Sequence, residues 1–250
     1  GGCGLLLDGF LHVPANDLSA INALGDALAD VVAVLVEPIQ GEGGVRPLDR
    51  HYLQGLRELC EQNQWLLMFD EVQTGNGRCG STYVCEQLEI KPDVLLTAKG
   101  LGNGLPIGVC MARGEAAQLL GPGDHGSTYG GNPLCCAAAI AVLTSLRDDH
   151  IMQRASIVRE VLLTALHQTI AQPDLITEVR GSGLMIGIQP SVATKEIVQR
   201  GLDRGLLINV AGGDTIRVLP PLVMTDEQAG ELGAGIANII NDIAEQENAL

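Results

Sequence analysis

Aromatic residues are scarce, at 2% of 250 residues. A core without them must rest on Leu, Ile, Val and Ala, and hydrophobic residues at 46% are enough to build one. Charged residues reach only 18%, an ordinary balance for a globular chain and not for a disordered one. Positive charge is thin: 15 Lys and Arg stand against 30 Asp and Glu, a net charge of −15. Such a chain repels phosphate backbones and anionic membrane surfaces, so neither nucleic acid nor membrane is expected as a partner. No apolar run is long enough to span a bilayer.

Cysteine pairs at metal or redox spacing are missing. The seven cysteines form no C-x-x-C, and Cys135 and Cys136 are adjacent. That excludes a disulfide framework and a zinc site, and predicts no metal and reduced thiols in a cytoplasmic protein. Gly100-Leu101-Gly102 and Gly181-Ser182-Gly183 lack the third glycine of a dinucleotide fingerprint. No P-loop and no serine-hydrolase elbow occurs. No basic segment precedes an apolar one at the start, so no signal peptide is expected. Gly1–Phe10 reads as the middle of a fold. Repeats and low-complexity tracts are absent.

What is present is a series of short aliphatic runs. Val31–Val36, Trp65–Phe69 and Val94–Leu96 each end in polar residues, as buried parallel strands do. Between the first two, Leu53, Leu56, Leu59 and Cys60 share one helical face. Strand, helix, strand predicts an α/β sheet. The three strands would carry Glu37, Asp70 and Lys99 to their carboxyl ends, the edge where ligands bind in open α/β sheets. A further strand is expected over Pro106–Ala112 and an Ala-rich helix over Asn132–Leu146. Past a boundary near Arg147-Asp148-Asp149, the pattern predicts a helix over Ile157–Ile170 and strands at Gly183–Ile188 and Ile216–Leu219. Thr225-Asp226-Glu227-Gln228 fits a capping box for a last helix reaching about Glu245.

Several residues suggest chemistry, and each has a plainer reading. Lys99, at a buried strand end before Gly100-Leu101-Gly102-Asn103-Gly104, is either a working amine or a lysine that snorkels to the surface. Asp70 either faces a cation or caps a turn. His125–Pro133 puts hydroxyls and glycines before a helix. It is either a phosphate cradle or a turn with an N-cap, and His125 is read as structural. Arg217, inside an apolar strand, wants an anion, which is a substrate carboxylate or one of the protein's own.

Together, Glu37-Pro38-Ile39-Gln40-Gly41-Glu42-Gly43-Gly44, Phe69-Asp70-Glu71-Val72-Gln73-Thr74-Gly75, Pro92-Asp93 leading to Ala98-Lys99, and His125–Pro133 resemble the class III aminotransferases in order and spacing. The resemblance spans essentially the whole chain. Within that class it is nearest to acetylornithine aminotransferases, on Ala211-Gly212-Gly213 before Arg217 and Pro220 after it. Ornithine and succinylornithine aminotransferases are close neighbours.

The resemblance implies a fold-type I pyridoxal-phosphate transferase. Its large, mostly parallel domain would cover residues 1–148, and a smaller α+β domain residues 149–250. It implies pyridoxal 5'-phosphate as cofactor and transamination between N-acetylornithine, or a close ω-amino analogue, and 2-oxoglutarate, giving the semialdehyde and glutamate. By resemblance Lys99 holds the cofactor as a Schiff base and shuttles the proton, and Asp70 pairs with the pyridine nitrogen. Val72 packs on the ring, and Gln73 bonds the ring oxygen. Ser127 and Thr128 bind the phosphate of the neighbouring subunit's cofactor, which implies a homodimer. Arg217 holds the α-carboxylate, and Glu42 pairs with that arginine when an ω-amine reacts. Asn76, Cys79 and Asn103 depart from the family pattern and are expected to alter loops. The family's N-terminal third would be missing, and with it a glycine loop, a ring-stacking aromatic and a substrate arginine. The rival readings are an aminomutase or decarboxylase, the former disfavoured by Arg217, and a non-catalytic fragment.

Overall fold

Each of the three aliphatic runs becomes a strand, and the three strands join in one sheet. The computed structural model describes residues 8–27 and 30–249; residues 1–7 of the Gly1–Phe10 stretch lie outside the described residues. The chain runs α1 (Leu18–Ala27), β1 (Ala33–Val36), a small hairpin of β2 (Ile39–Gln40) and β3 (Arg46–Pro47), α2 (Arg50–Asn63), β4 (Leu66–Asp70), α3 (Val84–Leu88), β5 (Val94–Thr97), β6 (Val109–Ala112) and α4 (Pro133–Asp148). It continues through α5 (Ile151–Thr169), β7 (Ile176–Ser182), β8 (Met185–Pro190), α6 (Ile197–Asp203), β9 (Asn209–Ala211), β10 (Thr215–Val218) and α7 (Asp226–Asn248).

The first sheet has the order β1-β4-β5-β6. β1, β4 and β5 are parallel, and β6 closes the edge antiparallel to β5. β6 is shorter than the Pro106–Ala112 expectation: it begins only at Val109, and Pro106 has no N–H to offer a ladder. Helix α2 turns Tyr52, Leu53, Leu56 and Cys60 inward, onto Leu67 and Phe69 of β4. It stops at Gln64, whose left-handed φ of 59° lets its own N–H donate to the Glu61 carbonyl and the Trp65 N–H to that of Cys60. Because the three parallel strands share one direction, Glu37, Asp70 and Lys99 emerge at one edge.

The second sheet, β7-β8-β10-β9, is antiparallel throughout. Helices α5 and α7 cover it with Val158, Leu162, Leu166, Ile236, Ile240 and Ile243. The two helices cross closely because α7 carries Gly233, where a Cβ would sit 2.1 Å from the Leu162 carbonyl oxygen. The capping box exists: Gln228 N–H donates to Thr225 Oγ1 at 3.2 Å, and Thr225 N–H to Gln228 Oε1 at 3.1 Å. The helix ends at Asn248, three residues past the expectation.

Two differences from the sequence reading have simple causes. The expected strand at Gly183–Ile188 starts at Met185, since Gly183 and Leu184 form the two-residue turn of the β7–β8 hairpin, with Gly183 at φ 52°. β7 itself was not expected. It is an edge strand with an irregularity between Ile176 and Glu178, so its polar alternation loses step.

Asp93 ties the first layer together. Its carboxylate accepts from Arg57 Nη1 at 2.8 Å and from the Leu67 N–H at 2.9 Å, with Arg113 at 3.7 Å. Burial pushes the carboxyl up, but the Leu67 amide and the two guanidiniums outweigh it and hold it below its ordinary 3.8. A lowered carboxyl contributes stability above its unfolded value and loses it as pH falls through the folded value. Asp93→Asn should therefore cost about 2–3 kcal/mol at pH 7, with the penalty fading below about pH 4. Urea midpoints across pH measure this; a penalty independent of pH would mean that packing, not charge, is responsible.

Candidate active site

The edge formed by the carboxyl ends of β4 and β5 opens into a cavity of about 880 Å3, within the range of small-molecule sites. Lys99, Val72, Gln73, Glu42 and Arg217 all line it. The second sheet supplies Arg217 from β10, and the turn after β2 supplies Glu42. Five of the sequence candidates therefore meet in one place.

Lys99 opens a single 3-10 turn and is itself strained, with φ +45° on a residue that has a Cβ. Asn76 holds that turn from the side: its Nδ2 donates to Thr97 Oγ1 at 2.9 Å and to the Ala98 carbonyl at 3.1 Å. Lys99 is exposed to the cavity, and among the described residues no hydrogen bond or ion pair engages its side-chain amine. An amine in that state is open to covalent use.

The Asp70-Glu71 doublet separates into two roles. Glu71 is fully buried and accepts from Val84 N–H at 2.7 Å, Cys85 N–H at 2.9 Å and Thr74 Oγ1 at 2.9 Å. Burial pushes its carboxyl up, and those bonds pull against it. It anchors the start of α3. Asp70 is half-buried, and its Oδ1 accepts from the Val72 N–H at 3.0 Å. Its Oδ2 has no donor among the described residues. Asp70 does not line the cavity but sits immediately before Val72 and Gln73, which do.

Glu42, Gln73 and Arg217 form a triad. Arg217 Nη1 donates to Glu42 Oε1 at 2.7 Å and to Gln73 Oε1 at 3.3 Å, while Gln73 Nε2 donates to Glu42 Oε1 at 3.1 Å. The Arg217 hydrogen bond holds the Glu42 carboxyl below its ordinary range. Partial burial opposes this, and Gln73 and the charges of Arg217 and Lys99 reinforce it. Of the two readings of Arg217, a protein carboxylate is its partner in this state, and that carboxylate is mostly exposed.

Ser127 and Thr128 lie elsewhere. They sit in an exposed loop outside the cavity, as does His125, and the helix after them is capped by Asn132, whose side chain accepts from Cys135 N–H. Glu37 also stays out of the cavity and braces the Glu42 turn by accepting from Gly41 N–H. Gly75-Asn76-Gly77-Arg78-Cys79-Gly80 carries the G-x-G-x-x-G spacing that Gly100-Leu101-Gly102 and Gly181-Ser182-Gly183 lack. It builds turns, with no helix directly after it, so the phosphate-binding context is absent. Its side chains instead reach across the molecule. Arg78 Nη1 donates to the carbonyls of Leu184 and Pro220, and buried Cys79 has its thiol pushed up to about 12 by burial. Asn76 and Arg78 were not anticipated as cavity residues. The glycine spacing was the available signal.

The sequence profile of class-III aminotransferases matches residues 11–240. The chain belongs to the class-III aminotransferases. Members of this family are pyridoxal-phosphate-dependent, and the fold is that of the fold-type I enzymes. Acetylornithine aminotransferase 1 of Bordetella pertussis is 43% identical over 246 residues, covering 98% of this chain and 63% of that protein. Acetylornithine aminotransferase of Methanothermobacter thermautotrophicus is 41% identical, with 95% and 60% covered. The crystal structure of ornithine aminotransferase from Toxoplasma gondii superposes with a TM-score of 0.88 at 36% identity, over 97% of this chain and 59% of that one. Acetylornithine aminotransferase from Elizabethkingia anophelis gives 0.84 at 35%, over 94% and 60%. The chain thus spans about three fifths of the length of these class-III relatives. The residues present suit the family cofactor: at a roomy cavity, a lysine amine with no partner among the described residues, and beside it a carboxylate with one oxygen likewise without a donor among them.

Proposed function

We propose that this chain forms the cofactor-bearing part of an enzyme that moves an amino group reversibly between the terminal amine of N-acetylornithine and 2-oxoglutarate. The observation that carries the reading is the Arg217–Glu42 pair in the cavity that Lys99 lines. Pyridoxal phosphate, when bound, supplies an electron sink for the bonding pair left behind when a proton leaves the substrate carbon. Lys99 would hold it covalently, and its Nζ would move that proton. Asp70 would keep the ring nitrogen protonated, Val72 would pack on the ring face, and Gln73 would turn toward the ring oxygen. The exposed hydroxyls of Ser127 and Thr128 suit a phosphate site shared across a homodimer. Residues 1–148 would form the large domain and residues 149–250 the small one.

The two substrates ask opposite things of one cavity. The oxo acid carries a carboxylate next to its reacting carbon, and the ω-amine donor carries none. An arginine covered by Glu42 suits the donor; an arginine released from Glu42 suits the oxo acid. The acetylated donor follows the names of the curated sequence relatives.

Arg217→Lys tests this. Lysine keeps the charge and loses the fork that grips a carboxylate with two bonds. The oxo-acid half-reaction should slow by about tenfold or more, and the amine half-reaction much less. Stopped-flow measurement of each half in the holoenzyme decides it. Equal damage to both halves would make Arg217 a structural residue.

A further inference from the structure

Arg180 on β7 is enclosed, at 8% exposed, and all three of its guanidinium nitrogens have partners. Its Nε donates to the carbonyls of Gly44 at 3.0 Å and Val45 at 3.1 Å. Nη1 donates to Glu178 Oε2 at 2.6 Å and Gln189 Oε1 at 2.8 Å, and Nη2 to Thr215 Oγ1 at 2.6 Å. Gln189 Nε2 and Thr215 Oγ1 both donate on to Asp214, at 2.8 and 2.9 Å. The bonds close a ring, Arg180–Gln189–Asp214–Thr215, in which each side-chain nitrogen meets an acceptor. Lysine could not reproduce this fork.

The placement matters more than the number of bonds. Gly44 and Val45 end the turn that carries Glu42. Thr215 lies two residues before Arg217 on β10, so the two side chains share a face of the strand. Arg180 thus grips the backbone of the turn that bears Glu42 and, through the Thr215 hydroxyl, the strand that bears Arg217. The fit leaves little slack: a Cβ at Gly44, at φ +100°, would come within 3.1 Å of Thr215 Oγ1, and Glu42's own carbonyl accepts from Gly212 N–H at 3.1 Å. A residue needed only to fill this space could be apolar, without the cost of burying a charge.

We propose that Arg180 is a positioning residue that holds Glu42 over Arg217, and so sets how strongly the site excludes α-carboxylates while an ω-amine reacts. The inference rests on the reading of Glu42 and Arg217 above. Loosening the turn frees Arg217 from its protein partner, so it should act in the same direction as deleting Glu42.

The test is a double-mutant cycle in the holoenzyme. It reads the ratio of ω-amine to α-amine reactivity in single turnovers, and the affinity for glutarate by calorimetry. Glu42→Ala should lower the ratio and tighten glutarate. Arg180→Lys should do the same by up to about tenfold, and should add nothing on top of Glu42→Ala. Should Arg180→Lys fail to fold, Thr215→Val should give a smaller shift of the same sign, and Thr215→Ser should restore the wild-type ratio. Additive effects, or lost stability with an unchanged ratio, would overturn the proposal and leave Arg180 a structural arginine. If Glu42→Ala alone moves neither readout, the Glu42–Arg217 reading falls and takes this inference with it. A Glu42→Ala shift with no counterpart from Arg180 or Thr215 overturns this inference alone.

Discussion

Lys99→Ala should abolish the visible absorbance of covalently held pyridoxal phosphate and reduce transamination to background. Among the described residues the Lys99 amine has no hydrogen-bond or ion-pair partner, and it faces a cavity large enough for cofactor and substrate. Its left-handed backbone, braced by Asn76, directs it there at a cost in strain. Two further lysines serve as controls. Lys91 precedes β5 and so lies at the opposite edge of the sheet, where its carbonyl accepts from Arg57 and Arg113. Lys195 is exposed and remote in the chain, before α6. A positioned proton-transfer group alone is worth about 10²–10⁴-fold, and loss of covalent capture comes on top of that. Borohydride reduction followed by peptide mapping should place the label on Lys99. A label on Lys91 or Lys195 would sink the assignment.

Asp70→Asn should leave the cofactor bound and slow proton abstraction by at least about a hundredfold, with a much smaller change in substrate binding. The geometry makes this substitution a clean one. Asp70 Oδ1 accepts from Val72 N–H, and an asparagine oxygen can keep that bond, so the backbone leading into Val72 and Gln73 stays in place. Only the charge is lost, and a neutral amide cannot keep a pyridine nitrogen protonated. Glu71→Gln provides the contrast. Glu71 is buried among the Val84, Cys85 and Thr74 donors, so its loss should lower stability with little effect on the chemical step. Near-normal single-turnover rates in Asp70→Asn would refute the role.

Much of the scaffold was legible because its signals are local. The spacing of Leu53, Leu56 and Cys60 requires a helix with one wet face, and α2 is that helix. Thr225 and Gln228 mark a helix start through bonds spanning three residues. β7 was missed because an edge strand with one solvated face and an irregular register has no clean period of two. Arg180 was missed because, in a run such as Thr177-Glu178-Val179-Arg180, a buried arginine reads like any surface cation.

The sequence by itself determined which chemistry is available and where each strand would present it: a lysine after β5, an acid at the end of β4, an arginine within β10. Periodicity and capping act over a few residues, and a few residues are visible in a linear string. Only the tertiary structure decided that Glu71 and not Asp70 is consumed by the α3 N-terminus, and that Glu42 lies across from Arg217, 175 residues away. It also decided that Arg180 reaches back 136 residues to Gly44. The Glu42 and Arg180 contacts depend on how two sheets dock against one another, and docking is set by the summed packing of side chains distant in sequence, which no local pattern encodes.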